Sequence, residues 1–508
     1  MAAPRGGPPR RALGAAVAMS LTTLASAQDA TPAARLPLTI VPSFAATATL
    51  TYSDGLQPST PRSELVTTLS PGVRINSTAG PVRGFLDYGL KALYFTGNSG
   101  HSEIQHALSA AATAEIVERR FLIDASASIS QQAISAFGPQ FTDTSLARTN
   151  RTEVRAYSLS PSLRGSIAGA VDYVARVSQT GSQSAGVAGA SSHSLLTLLQ
   201  LNGRPQGPLN WSVAGSRQRL NYNAGDNSQS DRLDGSLSYA ATPQLNLTLQ
   251  AGRESTDLGG LFRQTANTHG YGVAWQPSPT TSLTANQQSR PFGRTHQFNI
   301  SHRTPRTIWT YNDTRDVASG AAQPVFASLG TAYDNLFQQF ASQIPDPDLR
   351  AAEVTRFLTS RGINPNAQLI GSFVSSSATL QRLQTLSVML LGVRQTISLA
   401  ASQGLTTRLD QTVGPFDLSN TSFVRQQGFN IGVSHRLTPL SSINLTASQQ
   451  RTLGDDKATR LQSFDISWSG QIGFRTRATL SARHSVFDGS TTSAYSESAL
   501  SAGLNLTF

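Results

Sequence analysis

The chain has 508 residues, no cysteine, 14% charged and 38% hydrophobic residues, and a formal net charge of +11 at pH 7. The lack of cysteine excludes a disulfide scaffold and thiol chemistry, and the charge content lies far below the roughly 25% typical of soluble domains. Arginine carries almost all the positive charge, Lys91 and Lys457 being the lysines, and it is scattered between strands and loops. A nucleic-acid surface needs a basic stripe or cluster, so no nucleic-acid partner is expected.

At the N-terminus, Arg5, Arg10 and Arg11 precede an apolar, small-residue run over residues 12–24, followed by Ala25-Ser26-Ala27. This order of charge, apolar run and A-x-A site is that of a secretory signal peptide, residues 1–27, cleaved to leave Gln28 first. The run is shorter than the ~20 residues a spanning helix needs, and no later stretch is long and apolar enough either. Any membrane crossing therefore falls to a closed barrel. Residues 28–43 are expected to form a short periplasmic segment, too short for a folded plug, which disfavours a TonB-dependent receptor.

From residue 44 onward two-residue alternation recurs. It runs through residues 44–53, 86–94, 171–178 and 233–239. At Leu245, Leu247, Leu249 and Ala251 the apolar set alternates with Gln244, Asn246, Thr248 and Gln250, and the pattern returns at residues 443–450 and 474–486. Each run is about ten residues or slightly more, the length a tilted strand needs to cross the hydrocarbon layer. Tight Pro turns, as at Pro243, Pro279, Pro305 and Pro439, alternate with longer polar loops, as at residues 181–192, 223–230 and 453–460. The spacing predicts about 22 antiparallel strands, within a range of about 18 to 24, with every short Pro turn on the periplasmic side and every long loop outside. A soluble β-solenoid would repeat at a fixed period, which these hairpins do not.

The alternation breaks at about residues 328–382, where Tyr333, Phe337, Phe340 and Ile344 fit one helical face and Pro345 ends it. Asp348 can cap a second helix carrying Val354, Phe357 and Leu358, with Gly362 as its stop. This helical insert in an outer loop is expected either to act as a lid folded into the lumen or to lie as a hairpin on the rim.

Strand parity selects the lumen-facing charges: Lys91, Asp172, Arg176, Arg232, Asp234, Arg436, Asp465, Arg475, Arg477 and Arg483, accompanied by Asp87 and Asp124. Inward charges of both signs commonly brace a wall as cross-strand pairs, with a substrate-selective ring as the alternative. Tyr88, Tyr94, Trp275 and Trp468 point outward and fit interfacial girdles. The last strand alternates Leu500, Ala502, Leu504, Leu506 and Phe508 with small and polar residues. A final strand ending on Phe508 is the expected signal to the barrel assembly machinery.

Catalytic chemistry is not legible. The histidines form no H-x-x-x-H pair or H-E-x-x-H motif, and there is neither a G-x-S-x-G elbow nor a P-loop. No catalytic, metal or cofactor-binding residue is assigned, no cofactor is expected, and the chain is read as not an enzyme. A Ser-His-Asp site assembled across distant strands, as in a lipase-like barrel, is the alternative.

Residues 120–140, RFLIDASASISQQAISAFGPQ, are more particular. They resemble the most recognisable segment of the PEP-CTERM system-associated outer-membrane protein family, barrels of bacteria that pair exosortase protein sorting with exopolysaccharide production. The likeness extends to residues 65–71 and 85–95, AYSLSPSLRG at 156–165, HRTPRTIWTYNDTRD at 302–316, ASQIPDPDLRAAEV at 341–354 and LLGVRQTISL at 390–399, and so covers most of the mature chain. It transfers no active-site residue. The resemblance implies a passive outer-membrane component of exopolysaccharide synthesis or export. From the residues themselves, the 129–139 portion reads as a rising strand entering an outer loop, bent by Gly138-Pro139, which either packs on the inner wall or meets a partner.

The expectation is thus an all-β, transmembrane antiparallel barrel over residues 44–508, in the outer membrane of a Gram-negative bacterium. It would act as a conduit or platform whose partners are outer-membrane lipid, the assembly machinery and, through the resemblance, exopolysaccharide and its export components. A general or sugar-selective porin is the first alternative.

Overall fold

The computed structural model describes residues 38–54, 62–77, 79–96, 102–141, 150–185, 191–204, 207–223, 227–257, 262–318, 378–409, 417–490 and 494–508. The expected signal peptide, residues 1–27, and nearly all of the expected helical insert lie outside these residues.

Alternation becomes strand throughout. The first strands are β1 (Leu38–Asp54), β2 (Arg62–Ser77), β3 (Val82–Phe95), β4 (Glu103–Val117), β5 (Phe121–Ala133), β6 (Arg151–Ile167), β7 (Val171–Ser184) and β8 (Ser192–Gly203). Next come β9 (Leu209–Tyr222), β10 (Ser228–Thr242), β11 (Leu245–Thr256), β12 (Gln264–Ser278), β13 (Thr281–Arg290), β14 (Gly293–Arg303) and β15 (Thr307–Ala318). The chain finishes with β16 (Thr379–Leu391), β17 (Gln395–Arg408), a one-turn helix α1 (Asp417–Asn420), β18 (Phe423–Thr438), β19 (Ser441–Leu453), β20 (Ala458–Gly473), β21 (Thr476–Gly489) and β22 (Tyr495–Thr507). Each strand pairs antiparallel with the next, and β1 also pairs with β22 from Ser43↔Thr507 to Asp54↔Ser496. The result is one closed 22-stranded sheet without a free edge.

Closure gives every strand two faces, and the side chains sort between them by parity. On β22, Leu500 and Leu504 face outward and are exposed, whereas Tyr495, Glu497 and Ala499 face inward and are buried. Inward positions elsewhere are mostly Ser, Thr, Asn and Gln, and they bond across strands, as in Ser160 to Ser178 at 2.8 Å and Ser448 to Ser463 at 2.7 Å. An apolar exterior around a polar interior is the inverse of a soluble fold and suits lipid outside and water within. Replacing Leu500 by arginine is therefore expected to lower barrel stability by about 2–4 kcal/mol, the cost of a cation near the bilayer midplane. Ser501→Arg, one residue on and facing the lumen, should cost far less. Urea unfolding of the two variants in lipid vesicles makes the comparison, and equal losses would contradict the assignment of faces.

The two ends of the barrel differ. Short turns join β2–β3, β4–β5 and each following even–odd pair, while the other end carries the longer connections, including residues 134–150 and 319–378. By the rule for such barrels the turn end is periplasmic and the loop end outside. All four tryptophans, Trp211, Trp275, Trp309 and Trp468, lie on outward positions near the turn end, where an aromatic girdle belongs. At that end the Phe508 N–H donates to the Pro42 carbonyl at 3.0 Å, and the terminal ring is exposed.

Four boundaries differ from expectation. β1 starts at Leu38, so residues 38–43 belong to the wall and not to a periplasmic segment. The β-branched Thr39, Ile40 and Val41 extend pairing to Ser77, which sequence alternation alone does not show because Pro42 interrupts it. Residues Thr379 to Arg382, assigned to the helical insert, are the first of β16 and pair with β15. Arg475 sits in the β20–β21 turn, outside the strand that was expected to turn it inward. The β13–β14 connection at Pro291-Phe292 is a short Pro turn at the loop end, against the predicted division; Gly293 beside it holds φ = 119°, a conformation glycine adopts freely, and the Arg290 guanidinium lies 4.4 Å from the Phe292 ring centre.

Candidate functional site: the inner wall and a segment across the lumen

Parity and register put Lys91, Asp172, Arg176, Arg232, Asp234, Arg436, Asp465, Arg477 and Arg483 on the inward face, with Asp87 and Asp124. Most are tied to one another or to neighbours. Arg74 on β2 meets Asp87 at 2.5 Å, and Arg204, just past β8, donates twice to Asp172 at 2.8 and 3.0 Å. Arg176 lies 3.7 Å from Asp124, and Arg483 donates to Glu497 at 2.8 Å. Asp465 stands directly opposite Arg483 in the β20–β21 register. Arg232 pairs with Asp234, and Gln288 bridges both, accepting from Arg232 at 2.6 Å and donating to Asp234 at 3.1 Å. These are wall braces. Lys91, Arg436 and Arg477 make no ion pair among the described residues.

Sequence reasoning missed the deepest pair. Glu254 on β11 is fully buried and accepts two bonds from Arg290 on β13, at 2.7 and 2.8 Å, while Arg290 also donates to Asp316 on β15 at 3.0 Å. The small Ala266, opposite Glu254 on the intervening β12, leaves room for the crossing.

The segment after β5 is the most informative part of the interior. Once Ala133 ends the strand, Asn150 pins the chain leaving it. The Asn150 Oδ1 accepts from the Ser135 N–H at 2.8 Å, and its Nδ2 donates to the carbonyls of Ser135 at 2.9 Å and Pro139 at 3.1 Å. Asn150 holds φ = 57°, a left-handed conformation that asparagine tolerates better than most side chains. Gly138 is required beside it, since a Cβ there would lie 2.4 Å from the Asn150 Cγ. Gln140 closes the loop from within by donating to the Ser135 carbonyl at 3.0 Å.

Thus shaped, the segment reaches strands that are not neighbours of β5. Asp417, at the start of α1 between β17 and β18, accepts from the Ser135 hydroxyl at 2.7 Å and from the Ala136 N–H at 2.6 Å. Ala136 and Phe137 are buried against Leu418 and Val424, and the Lys457 ammonium lies 5.9 Å from the Phe137 ring centre. Farther along, Phe141 stacks on Tyr495 of β22 at 5.3 Å, Tyr495 stacks on Phe487 of β21 at 5.4 Å, and the Tyr495 hydroxyl donates to the Gln140 carbonyl. Tyr495 and Phe487 are inward residues, so residues 135–141 cross the lumen at its loop end. Of the two sequence readings of this stretch, packing against the inner wall is the one the structure takes. Gly138-Pro139 and an aromatic in a polar loop hinted at a bend with an anchor; nothing local pointed to Asp417 or Tyr495.

Burial raises the Asp417 carboxyl above its ordinary range, against the lowering effect of its bonds to Ser135 and Ala136 and of nearby Lys457. The folded chain thus holds that proton more tightly than the unfolded one. The group's contribution to seating the segment is full below the ordinary carboxylate pKa and is lost as pH rises through the raised value. Channel noise from segment motion should accordingly grow from acid to neutral pH in the parent and lose that dependence in Asp417→Asn. The same slope in both would show that another group titrates.

A closed antiparallel barrel with an apolar exterior, a tryptophan girdle and a braced polar lumen defines an integral outer-membrane β-barrel. No family model and no curated protein matches the chain. Among solved structures, the FrpB iron transporter from Neisseria meningitidis (F3-3 variant) aligns over 92% of this chain and 81% of its own, at 11% identity and a TM-score of 0.47. The siderophore receptor PirA from Pseudomonas aeruginosa covers 92% and 80%, at 10% identity and 0.41. The outer membrane protein opdK from the same organism covers 92% and 99%, at 11% identity and 0.32. What those proteins carry is a property of those proteins.

Proposed function

We propose that this barrel is a passive, non-enzymatic conduit for polar solutes across the outer membrane, with its outer opening set by residues 135–141. The observation that carries the reading is the polar inner wall, of both charge signs, narrowed at one level by a segment anchored on Asp417 and Tyr495. A bare lumen of 22 strands is wide, and barrels of this size hold material inside it. The resemblance of residues 120–140 to the PEP-CTERM system-associated family adds the cargo: we read the conduit as serving exopolysaccharide export, with Phe508 presented to the assembly machinery. That the family-typical stretch is the same one that crosses the lumen supports this reading.

The test is single-channel conductance of the chain from Gln28 to Phe508, refolded into a planar bilayer. Discrete open steps that soluble polysaccharide blocks from one side would support the export reading. Open steps indifferent to polysaccharide but blocked by simple sugars would favour the porin alternative. Silence from verified barrels would reject a conduit and leave a platform.

A further inference from the structure

The outward face carries a polar belt where lipid-facing barrel walls are expected to be apolar. Over β14–β20 the apolar band, which includes Phe298, Ile300, Leu386, Phe429 and Phe464, stops short of the loop end. Directly above it, Gln384, Gln403 and Gln427 stand opposite one another on β16, β17 and β18, and Gln427 faces Arg451 on β19, which in turn faces Arg460 on β20. The next row toward the loop end sets His296 against Arg315 and Arg315 against Arg382. Two arginine pairs, Arg315–Arg382 and Arg451–Arg460, are therefore directly opposed across antiparallel strands, an arrangement that like charge makes unfavourable.

The local acid does not resolve this. Asp313 lies on the same face, but it is taken up by Arg382 at 2.7 Å and His296 at 2.9 Å. Among the described residues Arg294, Arg315 and Arg451 make no ion pair. Gln427 donates to Gln403 at 3.0 Å, and Gln449 accepts from Gln462 at 3.1 Å and from Arg460 at 3.2 Å, so the amides are ordered beside and below the guanidinium groups. Opposed guanidinium groups relax when an anion sits between them, and phosphate takes their forked donors two at a time. Amides alongside suit the hydroxyls of a sugar.

We propose that the outward rim of β14–β20 binds the phosphate-bearing sugar headgroup of a membrane glycolipid in the outer leaflet. Acyl chains lie against the apolar band, sugar hydroxyls meet the glutamine row, and phosphate bridges the opposed arginines. The proposal rests on the loop end facing outward, and it is independent of whether the lumen conducts.

The test is native mass spectrometry of the full chain released from detergent micelles with three probes: a bis-phosphorylated disaccharide lipid, its dephosphorylated form, and phosphatidylglycerol. The parent should retain the phosphorylated glycolipid at least about tenfold better than the triple variant Arg294→Gln, Arg315→Gln, Arg451→Gln, a difference of ~1.4 kcal/mol. It should also prefer that lipid to its dephosphorylated form. Equal retention by parent and folded variant, or no preference for phosphate, would overturn the assignment. Preference for phosphatidylglycerol over the glycolipid would overturn it too, by placing the belt at the inner leaflet. If the variant does not fold, the comparison of probes on the parent alone decides.

Discussion

Asp417→Ala is expected to raise the mean single-channel conductance and the current noise of the refolded barrel while leaving the barrel itself folded. The carboxylate holds the crossing segment by two short bonds, and its removal leaves the Ser135 hydroxyl and the buried Ala136 N–H without that acceptor. A buried donor left unsatisfied in this way costs about 1–3 kcal/mol. Each ~1.4 kcal/mol is tenfold in population, so the unseated arrangement should gain about tenfold. Seating and wall are separable, because the strand ladder closes through β1 and β22 without any residue of the segment. Asp417→Asn should seat the segment about as well as the parent does at acid pH and better than alanine at every pH, since one amide oxygen can still accept from Ala136 while the Ser135 hydroxyl turns to accept from the amide. A conductance trace for Asp417→Ala indistinguishable from the parent would show that Phe137 and Phe141 hold the segment alone.

The second large effect is on the wall. Glu254→Ala should lower barrel stability by about 3–5 kcal/mol, because it strips the largely buried Arg290 of its bidentate, fully buried partner. Asp316 still reaches Arg290, which places the loss toward the lower end of that range. The double variant Glu254→Leu, Arg290→Met should recover most of it, since burying two apolar chains leaves no charge uncompensated. Denaturant unfolding in vesicles measures all three. A double variant as weak as the single one would mean that the pair positions β11 and β13 by shape and not by charge.

Much of the wall was legible from residues 44–508 alone. A two-residue period is a local property, and it turned Leu500 to one side and Ser501 to the other without reference to any distant residue. The same period placed Arg232, Asp234 and Arg483 on the inner face, and the division into short turns and long loops ordered most connections, failing at the Pro291-Phe292 turn and at residues 454–457, a loop-end connection shorter than residues 204–208 at the turn end. It failed where the period is interrupted: Pro42 hid the true start of β1, and Arg475 carried the right parity but stands in a turn. The candidate helices of residues 328–382 lie outside the described residues, except for the start of β16 at Thr379.

The sequence by itself determined that the chain forms strands with an apolar and a polar face, and bounded the strands at about 18 to 24, because alternation and turn chemistry act over a few residues. Only the tertiary structure decided which residues meet across the lumen. Asp417 and Ser135 are 282 positions apart, and Tyr495 and Gln140 are 355 apart. No local pattern encodes such a meeting; it follows from ring closure, which brings β5, β18 and β22 around one interior and lets a loop from one wall find its acceptors on another.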